Sequence, residues 1–237
     1  MKKGKLYLIP APLGEEVTHT IPAYVIEVLH QLDVFIAERA KTARAFIKTT
    51  NPVKAFSELH FYELNKRTDP IEMQTFLKDA EEGKDIGLLS EAGCPAVADP
   101  GAVIVEMAHR KGIEVVPLVG PSSILLALMG SGMNGQQFCF NGYLSPKKPE
   151  LSKALKRLEQ VSARHQQSQI MIETPYRNMG FVETALQALS PNTRFCIACD
   201  LTLETQYIET KTIAAWKKTK IQNLHKRPTI FILYAGK

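Results

Sequence analysis

Short apolar runs alternate with helical periodicity along the first half of this chain, and no other feature constrains its fold as strongly. Residues 6–9 read as a strand. Ile21, Val25, Val28, Leu29 and Leu32 keep helical spacing, with Thr20 placed to cap that helix. Residues 34–37 form a second strand, 41–49 a short helix and 53–56 a short strand. Asp69 followed by Pro70 opens a helix that Gly83 ends. A strand at 86–89, a helix at 101–111 closed by Gly112, a strand at 115–118 and a helix at 122–129 complete the pattern. Such alternation demands crossover connections, and these give a mostly parallel, doubly wound α/β sheet.

Beyond "GSGMNGQ" the character of the chain changes. Strands are expected at 138–140, 170–172, 195–198 and 229–234, with helices at 149–165 and 175–189. Glycine and polar residues cluster at 132–137, so two α/β domains are expected, 1–134 and 135–237. The length, 237 residues, suffices for two small cores. A hydrophobic share of 45% with 22% charged residues is that of an ordinary soluble protein, and no apolar run is long enough to cross a bilayer. The start, Met1-Lys2-Lys3-Gly4-Lys5, is basic, but the apolar run after it is short and Pro10 and Pro12 interrupt it. It reads as a first strand of a cytoplasmic protein rather than a signal peptide. The net charge of +5 permits an anionic partner such as RNA without demanding one. Lys147, Lys148, Lys153, Lys156 and Arg157 form one basic region, and Lys211, Lys217, Lys218, Lys220, Lys226 and Arg227 a second. They suit a solvated face or a track along a phosphate backbone.

In doubly wound sheets ligands bind beyond the carboxyl ends of the strands. Three irregular loops fall there: 10–14, 90–101 and 119–123. "SEAGCPAVADPG" offers small residues, exposed backbone and carboxylates, with no Lys or Arg to hold a phosphate. It suits a neutral or cationic small molecule. In "VGPSS" the glycine permits close backbone approach, and serines at a helix start present hydroxyl and N–H groups that can hold a carboxylate or simply cap. Glu173 leaves the strand at 170–172, followed by Thr174 and Pro175 in N-cap and N1 positions.

Several apparent motifs carry nothing. Gly130-Ser-Gly132-Met-Asn-Gly135 matches a dinucleotide fingerprint but follows a helix and precedes a strand, the wrong context. No P-loop is present. Cys196 and Cys199 have CxxC spacing, yet on a strand residues three apart face opposite sides. The six histidines are scattered, so no metal site is expected.

Taken together, "LYLIPAPLG", "VFIAE", "GLLSEAGCPAVADPG", "VVPLVGPSSILLALMGSGM", "FCFNGYLSPK", "MIETPYR" and "CDLTLET" resemble the tetrapyrrole methylase superfamily in order and spacing. Within it the chain is most similar to the ribosomal RNA small subunit methyltransferase I family, which methylates a cytidine 2′-hydroxyl. The resemblance implies an S-adenosylmethionine-dependent methyltransferase with two mostly parallel α/β domains, the cofactor lying in a cleft between them. It also implies a homodimer acting on ribosomal RNA in the small subunit. By the resemblance, the cofactor-binding positions are Pro12, Leu13, Ser90, Glu91, Ala92, Gly93, Cys94, Ser122, Ser123, Ile124, Ile172, Pro228 and Thr229. Removing a ribose hydroxyl proton requires a base, and Glu38 and Glu173 are the candidates.

The chain departs from the family's usual Ala-Glu-Asp-Thr-Arg, reading Ala37-Glu38-Arg39-Ala40-Lys41 instead. In the long loop Glu91 replaces the usual Asp, Cys94 a Thr and Ala96 a Gly, and Val119-Gly120-Pro121 replaces Pro-Gly-Pro. Two further readings therefore stand beside RNA methylation: a methyltransferase for a tetrapyrrole or other small molecule, and a non-catalytic cofactor-binding relative.

Overall fold

The computed structural model describes residues 2–15 and 17–236, so Met1 of the basic start lies outside the described residues. The chain divides into two compact units, the first ending at Ser122 and the second starting at Ser123.

The first unit runs β1 (Lys5–Ile9), α1 (Ala23–Gln31), β2 (Val34–Ala37), α2 (Ala40–Thr49), β3 (His60–Glu63), α3 (Pro70–Met73), α4 (Lys78–Glu81), β4 (Ile86–Leu89), α5 (Ala102–Arg110) and β5 (Glu114–Pro117). Its sheet has the order β3-β2-β4-β1-β5, and every pairing is parallel. Alternate side chains feed two cores. Leu6, Val34, Ile36, Ile86 and Leu88 meet Ala80 of α4 and Ile104, Met107 and Ala108 of α5 on one face. Ile9, Phe35, Ala37 and Leu89 meet Val25 and Leu29 of α1 and Ala43 and Ile47 of α2 on the other. This two-faced burial explains why β2 and β4 are apolar throughout. Each buried Val, Leu, Ile, Phe or Met among them contributes about 1.5–3 kcal/mol.

From β1 the chain crosses toward the β3 edge, and from β4 it crosses toward the β5 edge. β1 and β4 are neighbours, so their carboxyl ends flank the point where the winding reverses.

The second unit runs α6 (Ser123–Ser131), β6 (Phe138–Tyr143), α7 (Lys148–His165), β7 (Ser168–Ile172), α8 (Asn178–Ala188), β8 (Arg194–Cys199), β9 (Tyr207–Thr212), α9 (Ile213–Trp216) and β10 (Thr229–Tyr234). Its sheet order is β6-β7-β10-β8-β9. Only β6 and β7 are parallel; β10 runs antiparallel to β7 and β8, and β9 antiparallel to β8. The expectation of mostly parallel sheets thus holds for the first sheet and gives way to a mixed sheet in the second. The cause is the connection after β8, which returns as the β8–β9 pair without a crossover helix. Leu151, Leu155 and Leu158 of α7 and Phe181, Val182 and Ala185 of α8 pack on one face with Phe195, Ile197, Cys199, Trp216 and Phe231. Phe231 stacks on Phe181 at 4.6 Å. The indole N–H of Trp216 donates to the Phe195 carbonyl at 2.7 Å.

The helix α6 packs against β8, β9 and β10. The break in packing therefore falls at 122/123, one helix ahead of the glycine-rich segment at 132–137 where sequence composition changes.

Other departures are local. Thr20 closes a 3-10 turn, Thr18–Thr20, with its hydroxyl donating to the Val17 carbonyl, and α1 starts after Pro22. Residues 53–56 form no strand; a 3-10 turn at Phe56–Glu58 leads into β3 instead. The expected 70–83 helix is two short helices, with Asp69 capping the first through the Ile71 N–H at 2.7 Å. The strand β9 is an addition to the expected set.

Candidate functional site

The three rim loops of the first unit are stitched together. Ala11 and Gly93 form an isolated antiparallel bridge, with N–H···O distances of 3.0 and 2.9 Å. Gly93 has φ +72°, and a Cβ there would come within 3.2 Å of Leu13 and 3.4 Å of the Pro121 carbonyl. The Cys94 thiol donates to that same carbonyl at 3.5 Å, and the Ser90 hydroxyl donates to the Gly93 carbonyl at 2.5 Å. Gly120 lies flat against Pro10, since an added Cβ would sit 2.3 Å from Pro10 Cβ. The Val119 N–H donates to the Tyr24 hydroxyl of α1 at 3.0 Å. Pro12, Leu13, Ser90, Gly93 and Cys94 thus form one cluster at the winding reversal, with Glu91 and Ala92 exposed at its lip.

Behind the lip, Asp99 organises the long loop, its Oδ1 accepting from the Ala96 and Gly101 N–H groups, both at 2.7 Å. Burial pushes the Asp99 carboxyl above its ordinary range, against the pull of those two N–H groups. Ala96 and Ala98 hold φ of +63° and +59°, the region that favours glycine.

Ala37 is in register with Leu89, so Glu38 leaves the sheet beside Ser90. Glu38 is half-buried and forms no ion pair among the described residues. Near it Glu63, which sequence reasoning passed over, caps α2 by accepting from the Ala40 N–H at 2.8 Å.

The second cluster lies in the second unit, at the carboxyl end of β7. Ile172 is the last residue of β7, half-buried and paired with Ile230. Glu173 is 3% exposed. Its Oε1 accepts from the Thr174 N–H (2.6 Å) and from Arg177 Nε (2.9 Å) and NH2 (2.6 Å). The expected capping by Thr174 gives way to this network: α8 begins at Asn178, and the Thr174 hydroxyl accepts from Arg177 Nε at 2.9 Å. Asn178, fully buried, donates to the Leu224 and Arg227 carbonyls and to the Thr229 hydroxyl, while its Oδ1 has no partner among the described residues. Thr229 is buried, and Pro228 is exposed with its carbonyl accepting from the Asp200 N–H at 2.9 Å. Arg227 in turn donates to Asp200 (2.7 Å) and to the Thr205 carbonyl (2.7 Å). Arg177 and Asn178 had only one signal in the sequence, the i+4 spacing of Arg177 from Glu173. Ser122 closes the first unit, and Ser123 and Ile124 open α6, all three half-buried.

Among the described residues no cluster of His, Cys, Asp or Glu could hold a metal ion. Cys199 joins the α7–α8 core through β8 while Cys196 points the other way, as strand periodicity requires. Burial raises the Cys196 thiol to about 11, and Cys199 is raised as well, so neither serves as a redox or zinc thiolate.

The donor set of the first-unit rim fits a sulfonium cofactor. Residues 10–14, 90–101 and 119–123 contain no Lys, Arg or His. The rim offers main-chain groups, small side chains and the carboxylates Glu91 and Asp99. A phosphate ligand would meet no countercharge there, whereas a cationic, phosphate-free donor would.

The first unit is thus doubly wound with a rim that carries carboxylates and no cation, and the second unit holds a mixed sheet. The profile of the Tetrapyrrole (Corrin/Porphyrin) Methylases matches residues 5–216, and the chain belongs to that family. It is 28% identical over 238 residues to "Ribosomal RNA small subunit methyltransferase I" of Buchnera aphidicola subsp. Schizaphis graminum, spanning 99% of this chain and 79% of the relative. Among solved structures it resembles the methyltransferase CobJ, with a TM-score of 0.64 at 16% identity over 98% of this chain and 94% of that one. It also resembles the uroporphyrin-III C-methyltransferase of Thermus thermophilus complexed with S-adenosylhomocysteine, with a TM-score of 0.57 at 15% identity over 98% and 97% of the two chains. The protein is an S-adenosylmethionine-dependent methyltransferase.

Proposed function

We propose that this methyltransferase modifies ribosomal RNA of the small subunit at a cytidine 2′-hydroxyl. The near-full-length likeness to a ribosomal RNA methyltransferase carries this reading. Free cations support it: Lys153, Lys156 and Arg157 on α7, and Lys217, Lys218, Lys220 and Lys226, are exposed and form no ion pair among the described residues. The rest of the two basic regions is neutralised, as in Lys147–Glu150 (3.3 Å), Lys148–Glu183 (3.8 Å), Lys211–Glu209 and Arg227–Asp200. The tetrapyrrole reading rests on solved-structure likenesses of 15–16% identity, which speak for the fold alone.

Bound S-adenosylmethionine supplies a methyl group already activated on sulfur. The residues proposed to hold it are Pro12, Leu13 and Ser90 to Cys94 on the first-unit rim, Ser122, Ser123 and Ile124 at the start of α6, and Ile172, Pro228 and Thr229 in the second unit. The protein's remaining task is alignment and removal of the hydroxyl proton. Glu38 is the better-placed base, beside Ser90 with its carboxylate unengaged among the described residues, whereas Glu173 Oε1 already accepts three hydrogen bonds. Glu173 fixes the Arg177 guanidinium in place. We further propose that the enzyme is cytoplasmic and works as a homodimer, with the 77%-exposed Met129 of α6 among the apolar residues a second copy would cover.

The test is transfer of labelled methyl from the cofactor to small ribosomal subunits purified from a strain lacking the gene. Label confined to one cytidine 2′-oxygen is expected. Label on a precorrin-type substrate, with none on RNA, would replace this reading by the tetrapyrrole one. In the same assay Glu38→Gln should lower turnover about 10²-fold or more with cofactor affinity unchanged in calorimetry. A loss seen only with Glu173→Gln would move the base to Glu173.

A further inference from the structure

The second-unit loops at 173–177 and 222–229 present a surface that methyl transfer itself does not use. We propose that Tyr176 and His225 form a stacking platform for a base of single-stranded RNA, with Lys226 meeting the adjoining phosphate. The proposal rests on the RNA reading given above and names where the strand is held.

Tyr176 is 69% exposed, more than any other Phe, Tyr or Trp among the described residues. Its ring meets His225 edge to face, centroids 5.7 Å apart and planes at 75°. An edge-to-face pair uses at most one face of one ring, so an open π-face remains for a base. Isolated exposed apolar residues such as Val53 or Ile71 are ordinary surface. Tyr176 differs from them in what holds it and what surrounds it.

The support beneath it is rigid. The Lys226 N–H donates to the Pro175 carbonyl at 3.0 Å and locks the two loops together. Lys226 is held at φ +63°, a conformation lysine seldom adopts unless its surroundings impose it. Asn178 clamps both ends of that turn through the carbonyls of Leu224 (3.1 Å) and Arg227 (2.7 Å), and the His225 N–H donates to Asn223 Oδ1 at 3.0 Å. An aromatic pair on a fixed base loses little entropy when a ligand stacks on it.

Beside the platform the cation Lys226 is left unspent. Two nearby acids are spent, Glu173 buried against Arg177 and Asp200 accepting from Arg227 and Thr205, while Glu204 stays exposed. Lys226 is exposed and unpaired among the described residues. An open aromatic face beside an unspent cation is how single-stranded nucleic acid is held without a rigid sequence code. The platform begins three residues after Glu173 and ends three before Thr229, so a nucleotide stacked on it would place its neighbour at the carboxyl end of β7.

The test uses the full-length protein saturated with cofactor and a short, fluorescein-labelled single-stranded RNA with a central cytidine, read by fluorescence anisotropy. Tyr176→Ala should weaken RNA binding about tenfold or more, while Tyr176→Phe, which keeps the π-face, should stay within about twofold of wild type. His225→Ala, acting from the other loop, should weaken binding in the same direction by less. Calorimetric cofactor affinity should be unchanged in all three, showing that they are folded. Wild-type-like RNA binding by Tyr176→Ala in an enzyme that methylates RNA overturns the platform alone. A wild type that neither binds nor methylates RNA overturns the RNA reading, and the platform with it.

Discussion

The two candidate clusters are built from opposite materials. The rim of the first unit is assembled by close approach of backbone: the Ala11–Gly93 bridge, Gly120 flat on Pro10, and Asp99 gathering two N–H groups. The loops of the second unit are assembled from side-chain polar networks: Glu173 on Arg177, Arg227 on Asp200, and Asn178 spanning three acceptors. The first leaves a surface shaped by sterics that carries carboxylates and no cation. The second spends its acids internally and leaves cations outside. One chain can thus present a surface suited to a cationic cofactor and another suited to a polyanion.

Each construction fails in its own way. The largest effect is expected at the second-unit network. Arg227→Ala strands Asp200, whose side chain is 8% exposed, without its cation. Because Arg227 itself is 23% exposed, the cost falls toward the low end for a broken buried pair, about 3 kcal/mol in a denaturant titration. A change below about 1 kcal/mol would show that the network is decorative. At the first-unit rim, Gly120→Ala forces a Cβ onto Pro10 and should cost about 2 kcal/mol. Cofactor affinity should fall with it, since the loop must move; retained affinity would mean that this loop does not shape the site.

A third test separates core from rim by pH. The Cys196 thiol is raised by burial from 9.0 to about 11. A thiol raised in the folded state contributes stability that is fully present below pH 9 and is lost as pH rises toward 11, because the unfolded chain releases its proton first. Wild type should therefore lose about 2 kcal/mol more than Cys196→Ala between those values. Parallel stability–pH curves would contradict the burial. The smallest effect is at Ala96: with φ +63°, Ala96→Gly should relieve strain and raise stability by up to about 1 kcal/mol in thermal unfolding.

The same contrast explains what the sequence disclosed. Strands buried on both faces, β2 and β4, and the central β10 are legible to the residue, because only a continuous apolar run satisfies two cores. Two of the four edge strands, β3 and β9, are not. His60-Phe61-Tyr62-Glu63 and Tyr207-Ile-Glu-Thr-Lys-Thr212 carry polar side chains to solvent and lack the apolar signal. The first-unit rim was legible because Gly, Pro and small residues announce an unusual loop. The second-unit network was not: Arg177, Asn178 and Arg227 become partners only when β7, α8 and β10 are folded together, across up to 51 residues. The start of α8 was misplaced for a related reason, since Thr174 reads as a cap until its hydroxyl is seen to serve Arg177.

The pair of hydrogen bonds between Ala11 and Gly93 has a mechanical corollary. Loops that leave neighbouring strands separately are tied here into a single plate, so neither can swing without carrying the other. Any motion that opens one of these loops must therefore carry Ala11 and Gly93 together.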